Sequence, residues 1–510
     1  MSTEVIATAP PPVSVRTRRR AREQKQETTP GMPPPPPAAA AGGMFPLGYK
    51  DAVYQWWTSV TPTVAERNVI AHIPYLREAV AQSTSPLAEV PSADHPGSTE
   101  TAANIDPYGP RLWKSEIVKL SGKNRGLNEF SIERVGEPVD DTLVMLHGYG
   151  AGLGFYYKNF ESLTRTKGWK LYALDMLGMG NSMRPSFKIH AKDPQDKITE
   201  AEGFFVDALE EWRKVRKLEK FTLLGHSLGG YLAVSYALKY PGRLNKLILA
   251  SPVGIPEDPY AVNAEMPEPQ ESTFQDEFTQ DQQETTQSQG NGKSLSAKGK
   301  AGTDVNAPKK RPYPGWLVWL WDANVSPFSI VRMAGPFGPR FVSGWTSRRF
   351  NHLPEEEAQT LHDYSYSLFR QRGSGEYALP YLLAPGAFAR RPVINRIQDV
   401  GRSVIQPATA TSPEVKENGF PIVFMYGEND WMDVAGGLAA EEKLKQVRAQ
   451  VLRDATEEQK KRENGSAKVI IIPKAGHHLY LDNADNFNEV MREELEDTRR
   501  QTLKEKAERS

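Results

Sequence analysis

Short apolar runs recur along the chain, separated by longer stretches in which apolar positions return every three or four residues. Residues 142–146 (TLVML), 171–175 (LYALD), 221–224 (FTLL), 246–250 (KLILA), 422–426 (IVFMY) and 468–472 (KVIII) are short, apolar and often β-branched. That is the pattern of parallel strands buried on both faces. Helical periodicity follows most of them, over 155–166, 202–218, 230–240, 438–452 and 486–502. The alternation predicts an α/β fold with a mostly parallel sheet covered by helices on both sides. Two earlier runs, 115–120 and 128–132, are less apolar and alternate more. They predict an antiparallel edge hairpin that opens the sheet.

Two polar stretches interrupt this pattern. Residues 1–43 hold a Pro run, an Ala run and a Gly pair, and residues 256–312 are rich in Gln, Glu, Ser, Thr and Lys. Neither can bury a core, so both are expected to be disordered. The expected organisation is a tail (1–43), an amphipathic segment (44–110), a first core part (111–255), an insertion (256–312), a helical cap (313–417) and a second core part (418–510). A further polar piece, 453–467, reads as a surface insertion.

Composition narrows the chemistry. The 510 residues carry 63 Lys+Arg against 63 Asp+Glu, so no global basic charge points to nucleic acid as a partner. There is no cysteine, which excludes disulfides, thiolate nucleophiles, Cys-ligated zinc and iron–sulfur clusters. A reducing compartment follows as the easier home. The sequence has no apolar run long enough for a transmembrane helix and no apolar signal core near its start. The first 25 residues are Arg-biased, including Arg16, Arg18, Arg19, Arg20 and Arg22. They read either as a mitochondrial presequence or as a solvated basic tail, with Pro10–Pro12 opposing a helix there.

Gly225-His226-Ser227-Leu228-Gly229 stands directly between an apolar strand and a helix (GYLAVSYALKY). This is the strand–turn–helix setting in which a serine is exposed as a nucleophile, with flanking glycines Gly225 and Gly229 removing side chains that would collide. A serine hydroxyl needs a base, and the base needs an orienting group. Asp430 follows the strand at 422–426, and His477 follows the strand at 468–472 in Ala475-Gly476-His477-His478. All three candidates, Ser227, Asp430 and His477, thus fall at carboxyl ends of predicted strands, where parallel sheets gather functional groups. Taken singly, Ser227 is compatible with a turn serine and Asp430 with a loop or N-cap aspartate. His478 is expected to pack. After 142–146 comes His147-Gly148-Tyr149-Gly150, whose turn offers the Tyr149 (or Gly150) N–H to join that of Leu228 around an oxyanion. His147 is expected to hold this turn. The chemistry requires neither a metal nor another cofactor.

These stretches resemble an α/β-hydrolase-fold lipid acyl hydrolase. The similar branch contains the lipid-droplet lipase coactivator, the N-acyl-phospholipid lysophospholipase and the mitochondrial cardiolipin deacylase. The stretches that carry the resemblance are LHGYGAGLGFYYKNF, LDMLGMGNSMRP, LLGHSLGGYLA, SPFSIVRMAGPFGPRFV, GSGEYALPYLLAPGAFARRP and AGHHLYLDN. The resemblance implies an α/β-hydrolase fold with a helical cap between strands six and seven. It also implies a phospholipid substrate, with cardiolipin or a lysophospholipid leading, and a peripheral membrane or lipid-droplet setting, mitochondrial or cytoplasmic. The coactivator of that branch lacks the nucleophile serine, whereas this chain has Ser227. The branch is further similar to acyltransferases through H-x-x-x-x-D, here His477 to Asp482, which adds acyl-CoA as a candidate partner and lysophosphatidic acid as an acyl acceptor. A non-catalytic membrane scaffold is the third reading.

Two aromatic concentrations bear on substrate. Trp316, Trp319, Trp321 and Trp345, with Phe328, Phe337 and Phe341, crowd the region 313–350, as a lid facing lipid or as plain cap core. Arg332, Arg340, Arg348 and Arg349 stand among them, as phosphate contacts or as solvated surface. Tyr54, Trp56, Trp57, Val60, Val64, Ile70 and Ile73 give 45–76 an amphipathic pattern, suited to membrane docking or to packing on the body.

Overall fold

The computed structural model describes residues 46–76, 106–259, 321, 324–409 and 411–509. The 1–43 tail with its arginines, most of the 256–312 insertion, and Trp316 and Trp319 lie outside the described residues. Eight strands form one sheet: β1 (Arg111–Lys119), β2 (Gly126–Arg134), β3 (Asp141–Leu146), β4 (Trp169–Leu174), β5 (Phe221–His226), β6 (Leu244–Ala250), β7 (Pro421–Gly427) and β8 (Ser466–Ile472). Their order across the sheet is β1-β2-β4-β3-β5-β6-β7-β8. β1 and β2 form the expected antiparallel hairpin, β2 runs antiparallel to β4, and the remaining pairs are parallel.

The apolar runs form strands because both faces of the sheet are covered. Val144 and Leu146 face α4 (Pro194–Val215) and α5 (Leu228–Lys239), in a core with Trp212 and Tyr231. Leu143 and Met145 face the other layer, with Phe160 of α3 (Tyr157–Leu163) and Phe487 of the C-terminal helix (Ala484–Arg509). Two expectations change. Residues 468–472 were expected to be buried on both faces, yet β8 is an edge strand and only Ile472 is fully buried, with Ile471 45% exposed. Helix α4 begins at Pro194, eight residues before the predicted 202. Asp193 caps it by accepting from the N–H groups of Gln195 and Asp196, and Pro194 fits the first turn.

Between β6 and β7 lies the helical cap, with α6 (Pro327–Met333), α7 (Gly338–Arg349) and α8 (Glu355–Phe369). Its aromatics divide between the two readings. Trp321 and Phe328 are buried, whereas Phe337 and Phe341 are exposed. The arginines are engaged rather than merely solvated: Arg332 pairs with Glu376 at 2.7 Å, and Arg340 lies over the Tyr49 ring. The N-terminal segment divides likewise. Helix α1 (Tyr49–Thr58) exposes Tyr54 and Trp57, while α2 (Pro62–Ile70) buries Ala65, Val69 and Ile70 against the body. No helix among the described residues is long and apolar enough to cross a membrane.

One buried ion pair ties the C-terminal helix to the sheet. The Lys246 ammonium on β6 is fully buried and donates to Glu494 Oε2 (2.9 Å) and to the Glu494 carbonyl (2.8 Å). Glu494→Ala leaves this cation underpaired, a loss of about 3 kcal/mol. It should appear as a lower urea midpoint at unchanged slope.

Candidate active site

The sheet order fixes where the candidates meet. β5, β6, β7 and β8 are consecutive neighbours, so the turns that follow them sit side by side at one edge. At the end of β5, Ser227 adopts φ 52° and ψ −118°, a conformation uncommon for a residue with a side chain, and α5 starts at the next residue. The Ser227 N–H donates to the Ala250 carbonyl at 3.0 Å, which anchors the turn to β6. The tight turn depends on its glycines. A Cβ on Gly225 would lie 2.3 Å from the Gly229 carbonyl oxygen, and one on Gly229 would lie 2.6 Å from that of His147. The backbone has no room for either.

Ser227, His477 and Asp430 converge. Ser227 Oγ is 3.1 Å from His477 Nε2, and His477 Nδ1 is 3.2 Å from Asp430 Oδ1. The Asp430 and His477 side chains are shielded from solvent, at 0% and 3% exposure. Burial alone would raise the Asp430 carboxyl, but hydrogen bonds from His477, Ser251 and the Met432 N–H outweigh it and hold the group below its ordinary range. The ionised carboxylate keeps the imidazole proton on Nδ1 and leaves Nε2 to accept from the serine.

The candidate oxyanion turn lies against the serine. A Cβ on Gly148 would approach His226 Nδ1 to 2.8 Å and Ser227 Cβ to 2.9 Å, so the His147–Gly150 turn packs directly on the elbow. Gly150 takes φ 71°. Leu228 opens α5, where N–H groups lack intrahelical acceptors. His147 holds the turn from inside: its Nε2 accepts from the Met176 N–H at 3.1 Å, and its Nδ1 donates to the Gly148 carbonyl at 2.7 Å. Burial keeps this imidazole below its ordinary range and therefore neutral. Tyr149 stacks on Phe328 at 5.1 Å, and Phe328 stacks on Phe369 at 4.6 Å. The turn is thereby continuous with the cap.

Several supporting residues escape the sequence pattern. Ser251, directly after β6 and at φ 44°, donates to Asp430 Oδ2. Its position at a strand end is a signal that could have found it. His226 Nε2 donates to the His477 carbonyl at 2.9 Å, fixing the backbone of the candidate base. His478 turns away and packs against Phe155 and His226. Asp482 does not reach Ser227's partners. Its Oδ2 accepts from the Gly476 N–H at 3.0 Å, and its Oδ1 lies 3.7 Å from Arg349 and 3.8 Å from His352. Both nitrogens of His477 are already occupied, so His477 and Asp482 form no separate dyad here. Among the described residues, no group of three or more His, Asp or Glu is arranged to hold a metal ion.

A family model described as alpha/beta hydrolase fold matches residues 141–484. A 1-acylglycerol-3-phosphate O-acyltransferase of Arabidopsis thaliana is 31% identical over 379 residues, 73% of this chain and 70% of that one. The 1-acylglycerol-3-phosphate O-acyltransferase ABHD5 of Mus musculus is 30% identical, across 75% of this chain and 85% of its own. A (lyso)-N-acylphosphatidylethanolamine lipase of Homo sapiens is also 30% identical, across 69% of this chain and 78% of its own.

The hydrogen-bond pattern predicts a graded response of Ser227 to a fluorophosphonate probe. Asp430→Asn presents the wrong partner to Nδ1 and should slow labelling by about 10³–10⁴-fold. Ser251→Ala removes one bond to a charged acceptor and should slow it about tenfold. Equal rates in all three proteins, followed by intact mass, would contradict the assignment of Asp430.

Proposed function

The chain belongs to the α/β-hydrolase family, and on that premise we propose that it is a serine hydrolase that cleaves acyl esters of glycerophospholipids. The observation that carries this reading is the unbroken relay from Ser227 Oγ through His477 to Asp430, at 3.1 and 3.2 Å, beside the Gly148 turn. Ser227 attacks the ester carbonyl and passes its proton to His477 Nε2, while Asp430 steadies the imidazolium. The Tyr149 and Leu228 amides hold the oxyanion, and each donor of this kind contributes about 2.7–4 kcal/mol in the transition state. On collapse the alcohol leaves with the proton from His477. Water then attacks the acyl-serine, gives its proton to His477, and releases the fatty acid as Ser227 is regenerated.

The names of the relatives favour an acyl glycerophospholipid. A lysophospholipid is the leading substrate and cardiolipin the second. The acyltransferase names also favour a second fate for the same intermediate. An acyl-CoA thioester would acylate Ser227 and release the thiol. A lysophosphatidic acid hydroxyl would then attack in place of water, with its proton passing to His477. Peripheral docking on a lipid surface is supported by α1 and the cap, which share an exposed apolar face. Tyr49 meets Phe337 edge to face at 6.1 Å, and the same two elements also expose Trp57 (81%) on α1 and Phe341 (58%) on α7.

Two experiments test these statements. Purified wild-type and Ser227→Ala chains are incubated with mixed phospholipid vesicles, with and without acyl-CoA, and the lipids are read by mass spectrometry. Serine-dependent release of fatty acid is expected. A diacyl lipid formed only with acyl-CoA would move transfer to first place, and identical lipids from both proteins would leave the scaffold reading. In vesicle flotation, Trp57→Ala combined with Phe341→Ala should weaken binding at least tenfold, since burying both rings is worth several kcal/mol. Unchanged flotation would remove this face as the docking surface.

A further inference from the structure

A buried polar network reaches the candidate oxyanion turn from outside the matched family region. Glu66, on α2, lies before residues 141–484 and is 4% exposed. Its carboxyl oxygens accept from Asn128 Nδ2 at 3.0 and 2.9 Å, and Oε2 accepts from Asn181 Nδ2 at 2.8 Å. The Tyr364 hydroxyl, on cap helix α8, contacts the same Oε2 at 3.3 Å and accepts from the Gly154 N–H at 3.3 Å. Asn128 Nδ2 is also 2.9 Å from Asp175 Oδ2, so one amide group serves two carboxyls. Asp175 in turn accepts from the Leu153 N–H at 2.7 Å, in the turn that follows His147–Gly150, and stands 3.6 Å from His147 Nε2.

We propose that Glu66 is a positioning residue for the oxyanion turn, closing a buried bridge from the N-terminal helix and the cap to the backbone at Leu153, held by Asp175, and at Gly154, held by Tyr364. The inference rests on the Ser227 reading given above. Elementary electrostatics says which form of Glu66 the bridge needs. Two buried carboxyls that share an amide resist carrying two charges. The donors that Glu66 meets, Asn128, Asn181 and Tyr364, are neutral, and Tyr364 can accept as well as donate. The charged or titratable groups facing the network are Asp175, His147 behind it, and Arg184, which acts on Asp175. Burial first, and the Asp175 charge second, push the Glu66 carboxyl up to about 8. Both causes favour the neutral form of Glu66. Its contribution to stability is complete below the ordinary carboxyl range and is lost as pH rises through about 8. Ionisation places a second charge beside Asp175 and loosens the turn that the oxyanion needs.

The full chain is assayed with p-nitrophenyl butyrate from pH 6.5 to 9.5, with fluorophosphonate labelling as an independent reading of Ser227. Wild-type kcat is expected to fall about fivefold between pH 8 and 9, as one proton is lost from a group of that pKa. Glu66→Gln, an isostere of the neutral acid, should lack this fall. Glu66→Ala should lose tenfold or more in kcat at pH 7 with KM within twofold, and the Gln variant should recover most of that loss. An alkaline fall that persists in Glu66→Gln would overturn the proposal. So would wild-type kcat in Glu66→Ala, or a Glu66→Gln chain that does not fold. Thermal melting from pH 5 to 9 reads the same ionisation without any chemistry. The wild type should lose Tm relative to Glu66→Gln as pH rises, and parallel curves would sink the idea. An unlabelled wild-type Ser227 together with diverging melting curves would instead count against the hydrolase reading alone.

Discussion

The candidate site depends on how closely two backbone turns approach each other at Ser227. The turn after β3 and the turn after β5 are in backbone contact; two glycines make that contact possible and a third closes the turn after β5 on itself. Gly225 admits the start of α5, Gly229 admits the His147 carbonyl, and Gly148 admits the Ser227 Cβ. Any side chain at these positions would push apart the serine and the amides expected to face its substrate. The positive φ of Ser227 belongs to the same constraint. The residue is held there by its N–H bond to Ala250, by α5 behind it and by a turn on its other side. The rest of the sheet works as a frame that keeps this approach fixed.

That frame explains why the candidate site needs few specialised interactions. β6 and β7 deliver Ser251 and Asp430 to each other, and β8 delivers His477 to the other oxygen of Asp430. Beneath His477, His226 fixes the backbone and keeps a neutral ring, since burial and the neighbouring His477 both disfavour its charged form. The neutral imidazoles of His147 and His226 hold the turns without adding charge next to a developing oxyanion or imidazolium. The Asp430 carboxylate is left as the charge that the candidate base meets directly.

The sheet and the three candidate residues were legible because their signals are local. A short, apolar and often β-branched run marks a buried strand, and a Ser, Asp or His just past such a run sits at a strand end. Where the local signal was weak, the reading shifted. The run KVIII is apolar enough for a central strand, but nothing in it says that β8 has a neighbour on one side only. Asp193-Pro194 is a helix start that apolar periodicity does not mark, since the first turn of α4 faces solvent and its first buried residue is Ile198. Glu66 was illegible for a different reason. Its partners Asn128 and Tyr364 lie 62 and 298 residues away, and a single Glu in an amphipathic helix reads as surface. Only the folded chain reveals that this carboxyl points inward.

The arrangement around His477 also constrains how water and a lysolipid would compete. With Nδ1 on Asp430 and Nε2 on Ser227, the imidazole has one position from which it can take a proton. Asp482, spent on the Gly476 N–H, offers no second one. On the proposed reading, any acyl acceptor must therefore enter by the path that water uses, over the Ser227 hydroxyl and under the cap. The outcome then turns on what the cap admits rather than on a different set of catalytic groups. The stack from Tyr149 through Phe328 to Phe369 joins that cap to the candidate oxyanion turn, so on the same reading a lipid that reshapes the cap would also act on the Tyr149 amide. Glu66 and Tyr364 meet the segment just after that turn, where the Tyr364 hydroxyl accepts from the Gly154 N–H. On the proposed reading, hydrolysis and transfer would be two outcomes of one site, separated by which hydroxyl reaches the acyl-serine first.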